Sequence, residues 1–134
     1  MDHNMFCFQC EQTAGCTGCT SRGVCGKDAQ TAQVQDRLTG ALIGLARAAD
    51  TSPDAGPETW QLMIEGLFAT LTNVNFDPDS LNALAGRVRA EKQRLVPDCA
   101  VCTAPCGRTG DYDLAQLWGA QEDIRSLKSL LLFG

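Results

Sequence analysis

The sequence predicts an all-α protein, a small bundle of three to four helices with a cysteine loop at its N-terminal end. Three observations predict it. Apolar residues recur at spacings of three and four in several segments, and no segment makes a convincing strand. Residues 1–27 carry neither period and are instead rich in Cys, Gly and Thr, as in a loop wrapped around a ligand.

The first helix is expected from about Asp28 to Ala49. Val34, Leu38, Leu42, Leu45 and Ala49 give it one apolar face, and Asp28 supplies a capping carboxylate. Residues 50–57 are a turn-rich connection. A second helix over Glu58–Leu71 carries the stripe Trp60, Met63, Ile64, Leu67, Phe68 and Leu71, which helical spacing assigns to the core. Asp77-Pro78-Asp79 is a strong start for a third helix, whose inward face is Leu81, Leu84, Ala85, Val88 and Leu95. Residues 96–112 form a second loop of Cys, Pro and Gly. A short turn with Leu114, Leu117 and Trp118 then leads to a last helix near Gln121. As domains, this is a single helical unit over 1–134. It comprises a cysteine loop (1–27), a three-helix bundle (28–95), the second cysteine loop (96–112) and a terminal helix (113–134) that begins a truncated or partner-completed second bundle. The apolar run Leu130–Phe133 exceeds what one helix face buries, so self-association or a partner is expected there.

Composition narrows the function classes. The 134 residues suit one compact domain, and a net charge of -5 without a basic patch argues against nucleic-acid binding. No window holds the roughly 18 consecutive apolar residues of a membrane helix. The N-terminus has no basic or apolar signal region, so the reducing cytoplasm is the expected location. No phosphate-binding glycine loop, Ser/His/Asp set or carboxylate pair stands out, and His3, the single histidine, reads as solvent-exposed.

Eight cysteines are the outlying feature, five between residues 7 and 25 and three between 99 and 106. In a reducing compartment such clusters usually bind metal rather than form disulfides. Cys7, Cys10, Cys19 and Cys25 supply four soft thiolates in a loop punctuated by Gly15, Gly18, Gly23 and Gly26, where backbone N–H groups can turn toward sulfur. Phe6 and Phe8 bracket Cys7 and can exclude water. Spacing alone leaves the metal open: Cys7-x2-Cys10 with Cys16-x2-Cys19 also reads as a structural zinc site.

The stretch Met5-Phe-Cys-Phe-Gln-Cys-Glu-Gln-Thr-Ala14, followed by Gly18-Cys-Thr20 and Arg22-Gly-Val-Cys-Gly-Lys27, closely resembles the N-terminus of the hybrid-cluster proteins, also called prismane proteins or hydroxylamine reductases. Gln35-Asp36, the block Gly66 to Asp77 and the block Glu122 to Lys128 extend the resemblance over essentially the whole chain in the same order. In that family the N-terminal cysteines bind a cubane 4Fe-4S cluster, or a 2Fe-2S cluster where spacing is wider. Intervals of two, eight and five residues here resemble the cubane type. The resemblance thus implies Cys7, Cys10, Cys19 and Cys25 as iron ligands, with Cys16 a bystander.

Family members are several times longer, and their substrate-reducing hybrid cluster is held by later His, Glu and Cys residues without counterpart here. The resemblance therefore implies an electron relay, from a redox donor protein toward a hybrid cluster on another part or chain, and no activity alone. The family reaction is reduction of hydroxylamine or nitric oxide.

Cys99, Cys102 and Cys106 form a possible second thiol site, one ligand short of a closed metal site unless Cys16 joins it. Arg108 is placed to activate a thiol there. The alternatives to a relay are a zinc-stabilised interaction module and a thiol redox sensor using this second group. The bases Arg87, Arg89, Lys92 and Arg94 read as a solvated helix face able to dock an acidic donor.

Overall fold

The computed structural model describes residues 5–10, 13–71, 74–97 and 110–133. Within them the chain is helical, with no strand beyond one isolated bridge. The order is α1 (Ala29–Thr51), α2 (Pro57–Thr70), α3 (Pro78–Leu95), the single turn α4 (Ala115–Trp118) and α5 (Glu122–Phe133). The count thus exceeds the expected three to four by the short α4, and each long helix begins and ends within a few residues of its expected bounds.

Local chemistry explains the helix starts. Asp28 caps α1 by accepting from the Thr31 N–H at 2.7 Å, and Asp77 caps α3 by accepting from the Asp79 N–H at 3.1 Å. Pro57 and Pro78 open α2 and α3 at the position where a missing N–H costs nothing. The Thr59 hydroxyl accepts from the Gly56 N–H at 3.3 Å and donates to Glu91 on α3 at 2.5 Å, tying α2 to α3.

The core lies between α1, α2 and α3, with α1 central. Val34, Leu38, Leu45, Leu81 and Val88 are its largest fully buried apolar side chains. The expected inward faces of α1 and α3 are the observed ones. For α2 the expectation fails: Trp60, Ile64, Leu67, Phe68 and Leu71 are all exposed, Ile64 at 68% and Phe68 at 61%, and Met63 is only partly buried. The buried face instead carries Thr59, Leu62, Gly66, Ala69 and Thr70. Close approach is the reason. A Cβ on Gly66 would sit 2.6 Å from a Leu42 methyl, so α2 meets α1 through its small residues and turns its bulky stripe outward.

After residue 110 the chain returns to α1. The Tyr112 N–H donates to the Gly40 carbonyl at 3.0 Å, and a side chain on Gly40 would overlap the Tyr112 carbonyl. This contact brings α4 and α5 beside the N-terminal loop. The Leu130–Phe133 run is not uniformly exposed: Leu130 and Leu131 are open at 68% and 89%, whereas Phe133 turns inward to stack on Trp118 at 6.3 Å.

Candidate metal centre

The N-terminal loop is closed by paired backbone bonds. Cys7 and Cys19 exchange N–H···O=C bonds of 2.9 Å in both directions, which sets their two side chains at one site. Buried Thr13 reinforces the closure: its hydroxyl donates to the Cys7 carbonyl at 3.1 Å and lies 3.7 Å from the Cys19 sulfur. Further along, the Gly23 N–H donates to the Lys27 carbonyl at 2.8 Å, and Gly26 turns with φ 93°, folding Cys25 back toward the pair.

Cys7, Cys10, Cys19 and Cys25 line one small enclosed cavity, together with Gln9, Thr13, Gly23, Val24 and Lys27. Cys16 is not among its walls. It is exposed, has φ 57°, and faces a separate groove beside Phe8, Ser129 and Phe133. All five described cysteines are free thiols. Cys99, Cys102, Cys106 and Arg108 lie outside the described residues, as does His3. Among the described residues, no three His, Cys, Asp or Glu side chains are grouped so as to hold a metal ion.

Electrostatics differ between the two facing thiols. Burial pushes the Cys7 thiol up, opposed by Lys27 and the Gln9 N–H and assisted by Asp36 and Cys19. Burial also acts on Cys19, but there the N–H groups of Ala14 and Val24, the Thr13 hydroxyl and Lys27 outweigh it, so this thiol is held below its usual range. The Ala14 N–H donates to the Cys19 sulfur at 3.4 Å. In residue chemistry, though not in a preformed ligand cage, the walls match what a thiolate-ligated group takes: four cysteines on one cavity, a backbone N–H aimed at the Cys19 sulfur, and a buried lysine.

Two residues around the site were not assigned a role from sequence. Lys27 is buried at 3% exposure, with its ammonium 3.8 Å from the Cys7 sulfur and 3.4 Å from the Gln9 side-chain oxygen. Asp36, on α1, accepts from the Trp118 indole N–H at 3.2 Å, and its carboxyl is pushed up to about 7, chiefly by burial. A lysine reads by default as solvated, and a single helical aspartate as a surface acid. The available signal was position: Lys27 stands two residues after Cys25, and Asp36 lies one helical turn from the small residues Ala32 and Gly40, on a second face of α1 away from Val34 and Leu38.

Aromatic rings cover the outer side. Phe6 packs against Trp118 at 5.6 Å, and the Arg125 guanidinium lies over Phe6 and Phe8 at 5.0 and 4.8 Å. Gly18, at φ 128°, is required here because a Cβ would stand 2.6 Å from the Phe6 ring. The arginines of α3 are exposed, as expected of a solvated face, and the bases are paired there: Arg87 with Glu65, Arg89 and Lys92 with Asp111, and Arg94 with Glu91.

Comparison with known proteins gives one consistent result. The sequence pattern of the Prismane/CO dehydrogenase family matches residues 5–134. Three similar relatives carry the name hydroxylamine reductase. That from Kosmotoga olearia is 35% identical over 98% of this chain and 28% of its own length. The Maridesulfovibrio salexigens protein is 37% identical over 97% of the chain and 27% of its length. The one from Clostridium perfringens is 38% identical, over 98% and 28%. The chain spans little more than a quarter of the relatives it matches.

Proposed function

Because the chain belongs to the Prismane/CO dehydrogenase family, we propose that it is the electron-relay portion of a hydroxylamine-reductase-type oxidoreductase, holding a 4Fe-4S cluster through Cys7, Cys10, Cys19 and Cys25. The single observation that carries this reading is the cavity shared by those four cysteines, with Cys25 in its wall and Cys16 outside it. A zinc site built from the Cys7-x2-Cys10 and Cys16-x2-Cys19 arms would draw Cys16 inward and leave Cys25 over.

A bound cluster supplies a one-electron reservoir at this end of the bundle. The protein's own residues then do three things. The Cys7–Cys19 bridge and Thr13 hold two sulfurs in fixed register, so little rearrangement accompanies a change of charge. The Ala14 N–H and the Lys27 ammonium donate to sulfur and stabilise negative charge there. Phe6, Phe8, Trp118 and Arg125 cover the loop and keep water from it. The donor is a redox protein, and the electrons pass toward the centre that reduces hydroxylamine or nitric oxide, which these residues do not form.

The test is a reductive titration of anaerobically prepared protein with parallel EPR. Uptake of about one electron per chain with an S = 1/2 signal is expected. Zinc with no electron uptake would leave a structural module in place of a relay.

A further inference from the structure

Lysine is almost never fully buried without an anionic or polar partner, because an unpaired ammonium away from water is costly. Lys27 is 3% exposed and is held at both ends. Its carbonyl accepts from the Gly23 N–H at 2.8 Å, which locks its backbone to the turn that carries Cys25. Its ammonium is aimed by Gln9, whose side-chain amide donates to the Thr70 carbonyl at 2.6 Å and whose oxygen accepts from Lys27 at 3.4 Å. That carbonyl belongs to the last turn of α2, where helix geometry leaves acceptors unsatisfied. So α2 anchors Gln9, Gln9 aims Lys27, and the ammonium reaches the Cys7 sulfur at 3.8 Å, close enough to Cys19 and to the Asp36 carboxyl to act on both.

We propose that Lys27 is a positioning residue that sets the reduction potential of the bound cluster, by holding a charge-assisted hydrogen bond from its ammonium to the Cys7 sulfur. The inference rests on the iron–sulfur reading above. One-electron reduction adds a negative charge to the cluster and its thiolates. A fixed positive charge at a ligand sulfur stabilises the reduced form more than the oxidised one, so the potential rises. In this low-dielectric cavity the effect is screened little, and Gln9 and Thr70 keep the ammonium in place in both states.

The experiment is a potentiometric titration, followed by EPR, of the full chain loaded with iron and sulfide, comparing wild type with Lys27→Met and Gln9→Leu. Lys27→Met keeps much of the side-chain volume and removes the charge. Its midpoint is expected to fall by ~59 mV or more, the tenfold change in the reduced-to-oxidised ratio of a one-electron couple. Gln9→Leu releases the ammonium from its anchor and is expected to shift the midpoint in the same direction by less. An unchanged midpoint in Lys27→Met at full iron and sulfide content overturns the inference and leaves the cluster reading intact. Should Lys27→Met not load, Gln9→Leu decides: a lower midpoint supports the role and an unmoved one overturns it. A wild-type chain that takes up no iron and sulfide overturns the cluster reading, and this inference with it.

Discussion

Asp36 and Gly18 show how single residues at this site trade stability for arrangement. The Asp36 carboxyl has its pKa raised from 3.8 to about 7, mainly by burial. The folded state therefore holds a proton that the unfolded chain releases, and stability falls as pH climbs from about 4 to about 7. Asp36→Asn keeps an acceptor for the Trp118 indole and removes that penalty. It is expected to match wild type below pH 4 and to be more stable above pH 7, by on the order of 1–3 kcal/mol in urea denaturation. Equal stability at high pH would show that the carboxylate is well solvated. Gly18→Ala combines an unfavourable φ with a clash into the Phe6 ring, and should cost about 1–3 kcal/mol in the same assay. It should also loosen the ring's cover over the cysteine loop.

At the scale of elements, α1 and α3 were legible because their apolar residues are large and regularly spaced, and burial follows size there. In α2 the same rule misassigned the face. Periodicity identifies a stripe but not which side approaches a neighbour most closely, and Gly66 and Ala69, both small, decided that. Gly66→Val would force α2 away from Leu42 and is expected to destabilise the bundle by about 1–3 kcal/mol. The α2–α3 link behaves oppositely to Asp36 with pH. Hydrogen bonds from Arg94 and then Thr59 hold the Glu91 carboxyl at about 2, below its ordinary 4.5. Its contribution is full above pH 4.5 and fades as pH falls toward 2. Thr59→Val should accordingly lose stability at neutral pH, and the deficit should narrow in acid. A deficit that stayed constant to pH 2 would assign it to packing rather than to the carboxylate.

For the whole molecule, residue identity and spacing pick out a thiol-rich N-terminal loop, but the choice of Cys7, Cys10, Cys19 and Cys25 over a set containing Cys16 came from the family resemblance and not from spacing. The buried lysine and aspartate beside it were not readable, since burial of a charge depends on how distant segments close over it. The aromatic cover was half readable. Phe6 and Phe8 adjoin Cys7 in sequence, but Trp118 and Arg125 come to the loop from the far end of the chain, which Tyr112 on Gly40 and the Trp118 indole on Asp36 tie to α1. The stripe on α2 and Leu127, Leu130 and Leu131 on α5 leave many large apolar side chains open to solvent. Concentration-dependent association in sedimentation is expected, relieved by Ile64→Gln with Phe68→Gln; a sharp monomer at high concentration would count against it.

The central claim, that Cys7, Cys10, Cys19 and Cys25 ligate one cluster, is tested most directly by iron and acid-labile sulfide per chain in anaerobically prepared Cys25→Ser and Cys16→Ser. About four of each is expected to remain in Cys16→Ser, with the cluster lost or degraded in Cys25→Ser. Full retention in Cys25→Ser with loss in Cys16→Ser would contradict it.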